Sequence, residues 1–282
     1  MTTTVPTIAE VRAAVAAARA VGRRVALVPT MGALHEGHLA LVARAREVAD
    51  VVVVSLFVNP LQFGPKEDFA RYPRDLDTDA ALLDSAGADL LFAPAPTELL
   101  PDGRTQVRVV AGPIGNTLEG RIRPGHFDGV LTIVLKLLHV VAPDVVVFGQ
   151  KDAQQVFLVQ RMVRDLDVPV AIEVVDTVRE QDGLAMSSRN RYLATDERRL
   201  ARAVPAALEA AESSADRDVD TMITAAQSAL AGEDGAALEY LAVVDPATFA
   251  PVDDGYRGRA LVLVAARVGG TRLIDNRFVH LG

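Results

Sequence analysis

The sequence predicts an α/β protein, a parallel sheet with helices on both faces, followed by a smaller α+β region. Apolar runs at 24–28, 51–57, 89–92, 144–148 and 170–175 alternate with amphipathic segments near 38–49, 75–86, 127–141 and 152–165. Short valine-rich runs of this kind read as strands buried on both faces, and strand–helix alternation points to a parallel sheet. Beyond about residue 177 the order changes. An alanine-rich amphipathic helix over 195–213 and a second over 218–230 precede short strands at 238–244, 260–268 and 271–279. The predicted domains are therefore 1–176 and 177–282.

Each element has a local reason. Thr7 with Glu10 three residues on forms a capping box, and Ile8, Val11, Val15 and Ala18 keep helical spacing up to Gly22. The run at 24–28 leads into Pro29-Thr30-Met31-Gly32-Ala33-Leu34-His35-Glu36-Gly37-His38, a glycine-punctuated turn, and then into the helical apolar residues Leu39, Leu41 and Val42. After 51–57, Pro60 stops the ladder while Leu61 and Phe63 pack beneath. Gly149 ends the run before it, where a backbone can approach a ligand closely. Segments 212–220 and 231–235 read as polar loops, and there is no internal repeat.

Composition narrows the function. A chain of 282 residues fits one or two domains, and 50% hydrophobic with 23% charged residues is ordinary for a globular protein. No apolar run approaches the roughly 20 residues of a membrane span, so no membrane partner is expected. The start Met1-Thr2-Thr3-Thr4-Val5-Pro6 lacks a basic region followed by an apolar core, which predicts a cytoplasmic protein without a secretory signal. Cysteine is absent, so disulfides and thiolate metal sites are excluded. A net charge of −8 argues against a nucleic-acid partner.

Four segments carry chemistry. The first is the turn before residue 39, which places His35 and His38 in the first turn of a helix and on one face of it. Free backbone N–H groups there, with a partial positive charge, favour phosphate, and two imidazoles add donors. Zinc-binding helical pairs stand four apart with a glutamate between, whereas these stand three apart without an apparent third ligand. The second segment holds Asn59 and Gln62, neutral amides suited to a hydroxylated or carboxylated substrate. In the third, Gly149-Gln150-Lys151-Asp152, Lys151 offers a compact charge for phosphate, Asp152 caps a helix or holds a ribose hydroxyl, and Gln154 or Gln155 faces substrate. The fourth, Met186-Ser187-Ser188-Arg189, combines hydroxyls and a guanidinium as a mobile phosphate clamp after Gly183. The first three each follow a predicted strand, so they are expected to meet in one crevice at the strands' carboxyl ends.

Together with Tyr72-Pro73-Arg74 and Arg123-Pro124-Gly125-His126-Phe127-Asp128-Gly129-Val130, these segments resemble the pantothenate synthetase (pantoate–β-alanine ligase) family from about Arg23 to Asp275. The resemblance implies a Rossmann-like nucleotidyltransferase domain with a smaller C-terminal lid, a homodimer, and ATP with Mg²⁺ as requirements. It implies ligation of pantoate to β-alanine through a pantoyl adenylate, with AMP and pyrophosphate released. It places ATP at Met31, Gly32, Ala33, Leu34, His35, Glu36, Gly37, His38, Gly149, Gln150, Lys151, Asp152, Val178, Met186, Ser187, Ser188 and Arg189. His38 matches the family's proton-donating histidine, with His35, Lys151 and Arg189 at the phosphates. Gln62 and Gln155 match the pantoate-binding glutamines, Asn59 joins them, Gln62 also borders β-alanine, and Asp79 is the candidate Mg²⁺ ligand.

Two positions depart from the family pattern: Gln150 stands where Glu is usual, and Ala153 where Tyr is usual. They put the packing and charge balance of that loop in question. Two other readings stay open on sequence alone, another nucleotidyltransferase and a non-catalytic nucleotide-binding paralogue.

Overall fold

The computed structural model describes residues 1–65, 67–231 and 235–282. The chain forms two compact units, Met1–Gly149 with Gln154–Val175, and Gln150–Ala153 with Asp176–Gly282. Residues 232–234 of the expected loop at 231–235 lie outside the described residues.

The first unit begins with β1 (Thr3–Val5), α1 (Ile8–Ala20), β2 (Val25–Thr30), α2 (Glu36–Val48), β3 (Val51–Leu56), α3 (Leu76–Ala86) and β4 (Leu90–Phe92). Two short helices follow, α4 (Pro96–Leu99) and α5 (Leu118–Ile122). They precede α6 (His126–Val141), β5 (Val145–Gly149), α7 (Ala153–Asp165) and β6 (Ala171–Val175). All six strands pair in parallel, in the order β1-β4-β3-β2-β5-β6. From β2 the chain steps outward through β3 to β4, then returns to the opposite side of β2 as β5. The strand order therefore reverses between β2 and β5, and the carboxyl ends at such a switch point are where open parallel sheets bind ligands.

Local chemistry explains these elements. Thr7 and Glu10 cap α1 reciprocally, as their spacing predicts. The core between sheet and helix comes from Ala26, Val28, Val52 and Val54 against Leu41 and Val42 of α2. Helix α6 is apolar nearly all round and correspondingly buried. Strand β6 differs from the expected doubly buried strand. It is the sheet edge, its residues are exposed or half-buried, and Glu173 reaches Arg44 of α2 at 2.9 Å. Strand β1, three residues long, has too little pattern for the sequence to reveal.

The second unit contains α8 (Thr195–Ala201), α9 (Ala203–Glu212), α10 (Val219–Ala231), β7 (Ala236–Val244), β8 (Gly258–Val268) and β9 (Thr271–Leu281). The strands form an antiparallel meander, β7-β8-β9. Val204, Leu208, Met222 and Leu230 pack with Val262 and Val264 in its core. The single helix expected over 195–213 is two helices broken at Arg202. Pro205 has no N–H to donate to the carbonyl of Ala201, so the ladder restarts there.

Candidate active site

The turn joining β2 to α2 sits at the switch point of the sheet. Gly32 and Ala33 both take the left-handed backbone region, at φ 81° and 52°. Two consecutive left-handed residues aim successive N–H groups the same way, and Asp79 of α3 accepts them. Ala33 N donates to one carboxylate oxygen at 2.9 Å and Leu34 N to the other at 2.8 Å. Asp79 is only 2% exposed. A Cβ on residue 32 would stand 2.9 Å from that carboxylate, so the close approach needs glycine. This corrects the expectation of a Mg²⁺ ligand: both oxygens of Asp79 are engaged by backbone and buried, and the carboxylate sets the turn.

Beyond the clamp, His35 is the N-cap of α2 and His38 its third residue, so only one of the pair lies within the helix. His35 Nδ1 accepts from Gly37 N at 3.2 Å, and His38 Nδ1 accepts from His35 N at 3.3 Å. The rings lie 4.1 Å apart. With Nδ1 an acceptor in each ring, the ring proton sits on Nε2, and each imidazole is preset as an Nε2–H donor. The pair therefore adds donors at a helix N-terminus, the combination that binds anions.

A second turn, Pro60–Gln62, follows β3 and is organised by Asn59. The Asn59 amide donates to Gln62 Oε1 at 3.0 Å and to Gly129 O at 3.1 Å, while its oxygen accepts from Leu61 N at 3.0 Å. At 2% exposure, Asn59 is spent on holding Gln62, which corrects its expected contact with substrate. Gln62 Nε2 in turn meets Met31 Sδ at 3.0 Å, which ties this turn to the histidine turn within one unit. Helix α6 backs it closely, since a Cβ at Gly129 would lie 2.2 Å from Leu61 O.

Behind Gln62 lies a polar cluster. Arg123 grips Glu67 through Nε at 2.9 Å and Nη2 at 2.6 Å, and its Nη1 stands 3.0 Å from His126 Nε2. His126 Nδ1 stands 2.8 Å from Gln62 O. Burial pushes the His126 pKa down to about 4, helped by the Arg123 charge and opposed by its bond to Gln62 and by Glu67 and Glu119. Burial pushes Glu67 up, but the hydrogen bond and charge of Arg123 outweigh it and hold the carboxyl below its ordinary range.

In the second unit, the turn Gln150–Asp152 is fastened to β9 by Asn276, which is 4% exposed. Asn276 Nδ2 donates to Gln150 O at 3.0 Å and Lys151 O at 2.9 Å, and its oxygen accepts from Gln150 Nε2 at 3.1 Å. The departure at 150 thus has a local partner: a glutamate there would set two acceptors face to face. The Lys151 side chain has no hydrogen bond or ion pair among the described residues. Next to Asn276, buried Asp275 takes Arg179 at 2.6 and 3.1 Å.

The Ser-Ser-Arg segment closes a small hairpin in which Met186 N donates to Val178 O at 2.9 Å and Gly183 turns at φ 87°. Ser187 is an N-cap, accepting from Arg189 N at 3.3 Å, so one of the two expected hydroxyls is used locally. Arg198 braces the hairpin through Glu180 at 2.7 Å and Asp182 at 2.8 Å. Burial raises both carboxyls, yet Arg198 brings each net below its ordinary range. Arg198 thus braces the hairpin that leads into Ser187, Ser188 and Arg189.

A pantoate–β-alanine ligase family model matches residues 3–278. The chain belongs to that family. It is 57% identical to the pantothenate synthetase of Leifsonia xyli subsp. xyli over 258 residues, covering 92% of this chain and 90% of that protein. Among solved structures, pantothenate synthetase of Thermus thermophilus superposes with TM-score 0.91 at 49% identity, over 98% of both chains. The pantoate–β-alanine ligase of Francisella tularensis, complexed with beta-gamma ATP and beta-alanine, gives TM-score 0.81 at 34% identity over 98% of this chain and 97% of that one. As a pantoate–β-alanine ligase the chain is an enzyme, and its Rossmann-like parallel sheet is the family's.

Within this ligase fold, Met31 to His38, Asn59, Gln62, Gly149 and Gln155 stand in the first unit, and Gln150 to Asp152, Val178 and Met186 to Arg189 in the second. Gln155 is half-buried, and its side chain makes no hydrogen bond among the described residues. Its neighbour Gln154 is 4% exposed and structural, accepting from Glu119 N at 3.1 Å and donating to Ile114 O at 2.8 Å. Sequence reasoning gave no role to Glu67, Arg123, His126, Arg179, Asp275 or Asn276. Asp275 and Asn276 interrupt the strand pattern of β9, while Glu67, Arg123 and Arg179 stand among other polar residues, so no shared local signal marks the six.

Proposed function

We propose that this ligase works through a pantoyl adenylate, with the nucleotide seated on the β2–α2 turn and pantoate beside it at Gln62. The observation that carries this reading is the 3.0 Å contact between Gln62 Nε2 and Met31 Sδ, which puts a neutral amide against the nucleotide turn. The complex of the Francisella tularensis relative supports ATP and β-alanine as substrates.

In this reading a pantoate carboxylate oxygen attacks the α-phosphorus of ATP and pyrophosphate departs. The β-alanine amine then attacks the acyl carbon, loses a proton, and AMP leaves with the attacking oxygen. His35 and His38 give their Nε2–H groups to the triphosphate, with His38 nearest the role of proton donor. Lys151 and Arg189 neutralise charge that builds on the departing pyrophosphate, largely by preorganised electrostatics. Gly149, Gln150, Asp152, Val178, Met186, Ser187 and Ser188 complete the ATP-binding set, and Gln155 joins Gln62 in holding pantoate.

Mg²⁺ belongs to the proposal as a companion of ATP that offsets phosphate charge. Among the described residues no group of three or more His, Asp or Glu is arranged to hold a metal. Phosphate oxygens and water would supply most of its coordination. We further propose that 1–176 is the catalytic domain, that 177–282 serves as a lid which keeps water from the adenylate, and that the enzyme is a cytoplasmic homodimer. Among the described residues no helix is long and apolar enough to cross a membrane.

The test is exchange of labelled pyrophosphate into ATP. Exchange is expected to require pantoate and to proceed without β-alanine. Absence of exchange with pantoate, or equal exchange driven by an unrelated acid, would overturn the reading.

A further inference from the structure

The side chain of Gln62 is placed by Asn59 and Met31, but its main chain is placed by residues that no substrate role requires. Its carbonyl oxygen lies 2.8 Å from His126 Nδ1 and 3.4 Å from Arg123 Nη2. Arginine can only donate, so the 3.0 Å contact between Arg123 Nη1 and His126 Nε2 makes Nε2 the acceptor. The proton of the neutral ring then sits on Nδ1 and is donated to the Gln62 carbonyl. Arg123 is itself fixed by the forked pair with Glu67, whose shorter arm is 2.6 Å. Glu67, Arg123 and His126 thus form a relay that ends on the Gln62 backbone.

We propose that Arg123 and His126 are positioning residues for pantoate, holding the Gln62 main chain so that its side-chain amide meets the substrate at a fixed angle. Three features favour this over simple packing. Withdrawing an ion pair partly, and an imidazole almost wholly, from water is costly, and apolar residues of similar volume would join helix to turn at least as well. The relay has one proton arrangement, which fixes direction as well as distance. The same face of α6 also brings Gly129 against Leu61, one helical turn after His126, so the Pro60–Gln62 turn is backed along its length. The charged groups that face the imidazole are Arg123, Glu67 and Glu119. The inference rests on the reading of Gln62 as the pantoate amide.

The experiment compares His126→Gln, His126→Asn and Gln62→Ala in steady-state kinetics with pantoate and ATP varied separately. An asparagine amide nitrogen stands near the place of Nδ1 and keeps the donor to Gln62, whereas glutamine reaches toward Nε2 and loses it. His126→Gln is expected to raise the pantoate KM about tenfold, the size of one lost hydrogen-bonded placement, with the ATP KM within about twofold. His126→Asn is expected to restore most of that loss. An unchanged pantoate KM in His126→Gln, while Gln62→Ala raises it, would overturn the positioning role alone. An unchanged pantoate KM in Gln62→Ala would overturn the underlying reading and the relay with it. Equal rises for ATP and pantoate would mark general loosening and also count against the proposal. Should the His126 variants fail to fold, Arg123→Lys, which keeps the charge but loses the fork, is expected to raise the pantoate KM selectively. No selective rise there would refute the relay.

Discussion

Replacing Asp79 by asparagine tests how the nucleotide turn is built. The carboxylate accepts Ala33 N at 2.9 Å and Leu34 N at 2.8 Å while almost wholly buried. Asparagine keeps one acceptor and points an N–H donor at the second backbone N–H. One buried donor left unsatisfied costs about 1–3 kcal/mol, and the surviving bond loses its charge assistance, so about 2–4 kcal/mol is expected in all. For a protein of this size each kcal/mol moves the melting temperature by roughly 2–4 °C, which gives a fall on the order of 4–16 °C. Ala33 holds a left-handed backbone that costs about 1–2 kcal/mol, and with the clamp weakened the turn relaxes and carries His35 with it. The kcat/KM for ATP should therefore drop about tenfold or more. The assays are thermal unfolding by circular dichroism and initial rates across a Mg²⁺ titration. An unchanged melting temperature together with a raised Mg²⁺ requirement would refute the clamp and return Asp79 to the metal.

Two further outcomes follow from the electrostatics. His126 has a folded pKa of about 4 against 6.5, so between those values the unfolded chain binds a proton that the folded one refuses. Its stabilising contribution is whole above pH 6.5, falls as pH drops, and is lost by pH 4, a change of about 3 kcal/mol. Melting curves of wild type and His126→Gln should accordingly converge as pH falls from 7 to 4, and parallel curves would contradict the assignment. Lys151→Ala should cut turnover by about 10²–10³ and leave melting nearly unchanged, since its ammonium has no partner among the described residues. Wild-type turnover in the folded variant would place the charge elsewhere.

The sheet was legible because its strands carry apolar runs, even one as short as Leu90–Phe92, and are separated by helices with a different period. Where a strand lacked an apolar run, as at Thr3-Thr4-Val5, or where Pro205 interrupted an otherwise helical pattern, local signals were too weak or were read through. Site chemistry divided along the same line. The histidine turn was visible because strand, glycines and helix are contiguous, yet His35 proved to be the cap and not part of the helix. Asn59 looks like a ligand in sequence because it follows a strand end, whereas Asp79, inside α3, is a candidate only through the family resemblance, and their partners reveal both as supports. Those partners are distant in the chain: Asp79 meets residues 45 and 46 positions away, and Asn276 meets the Gln150 turn 126 positions away. No spacing rule links such residues, so nothing in the sequence pairs Gln150 with Asn276 opposite it.

The central claim is that pantoate's own carboxylate takes the adenylyl group, and oxygen labelling tests it most directly. Pantoate carrying ¹⁸O in both carboxylate oxygens, turned over with ATP and β-alanine, should yield AMP with one ¹⁸O in its phosphoryl group and pantothenate with the other in its amide carbonyl. Label-free AMP beside labelled pantothenate would contradict the adenylate route.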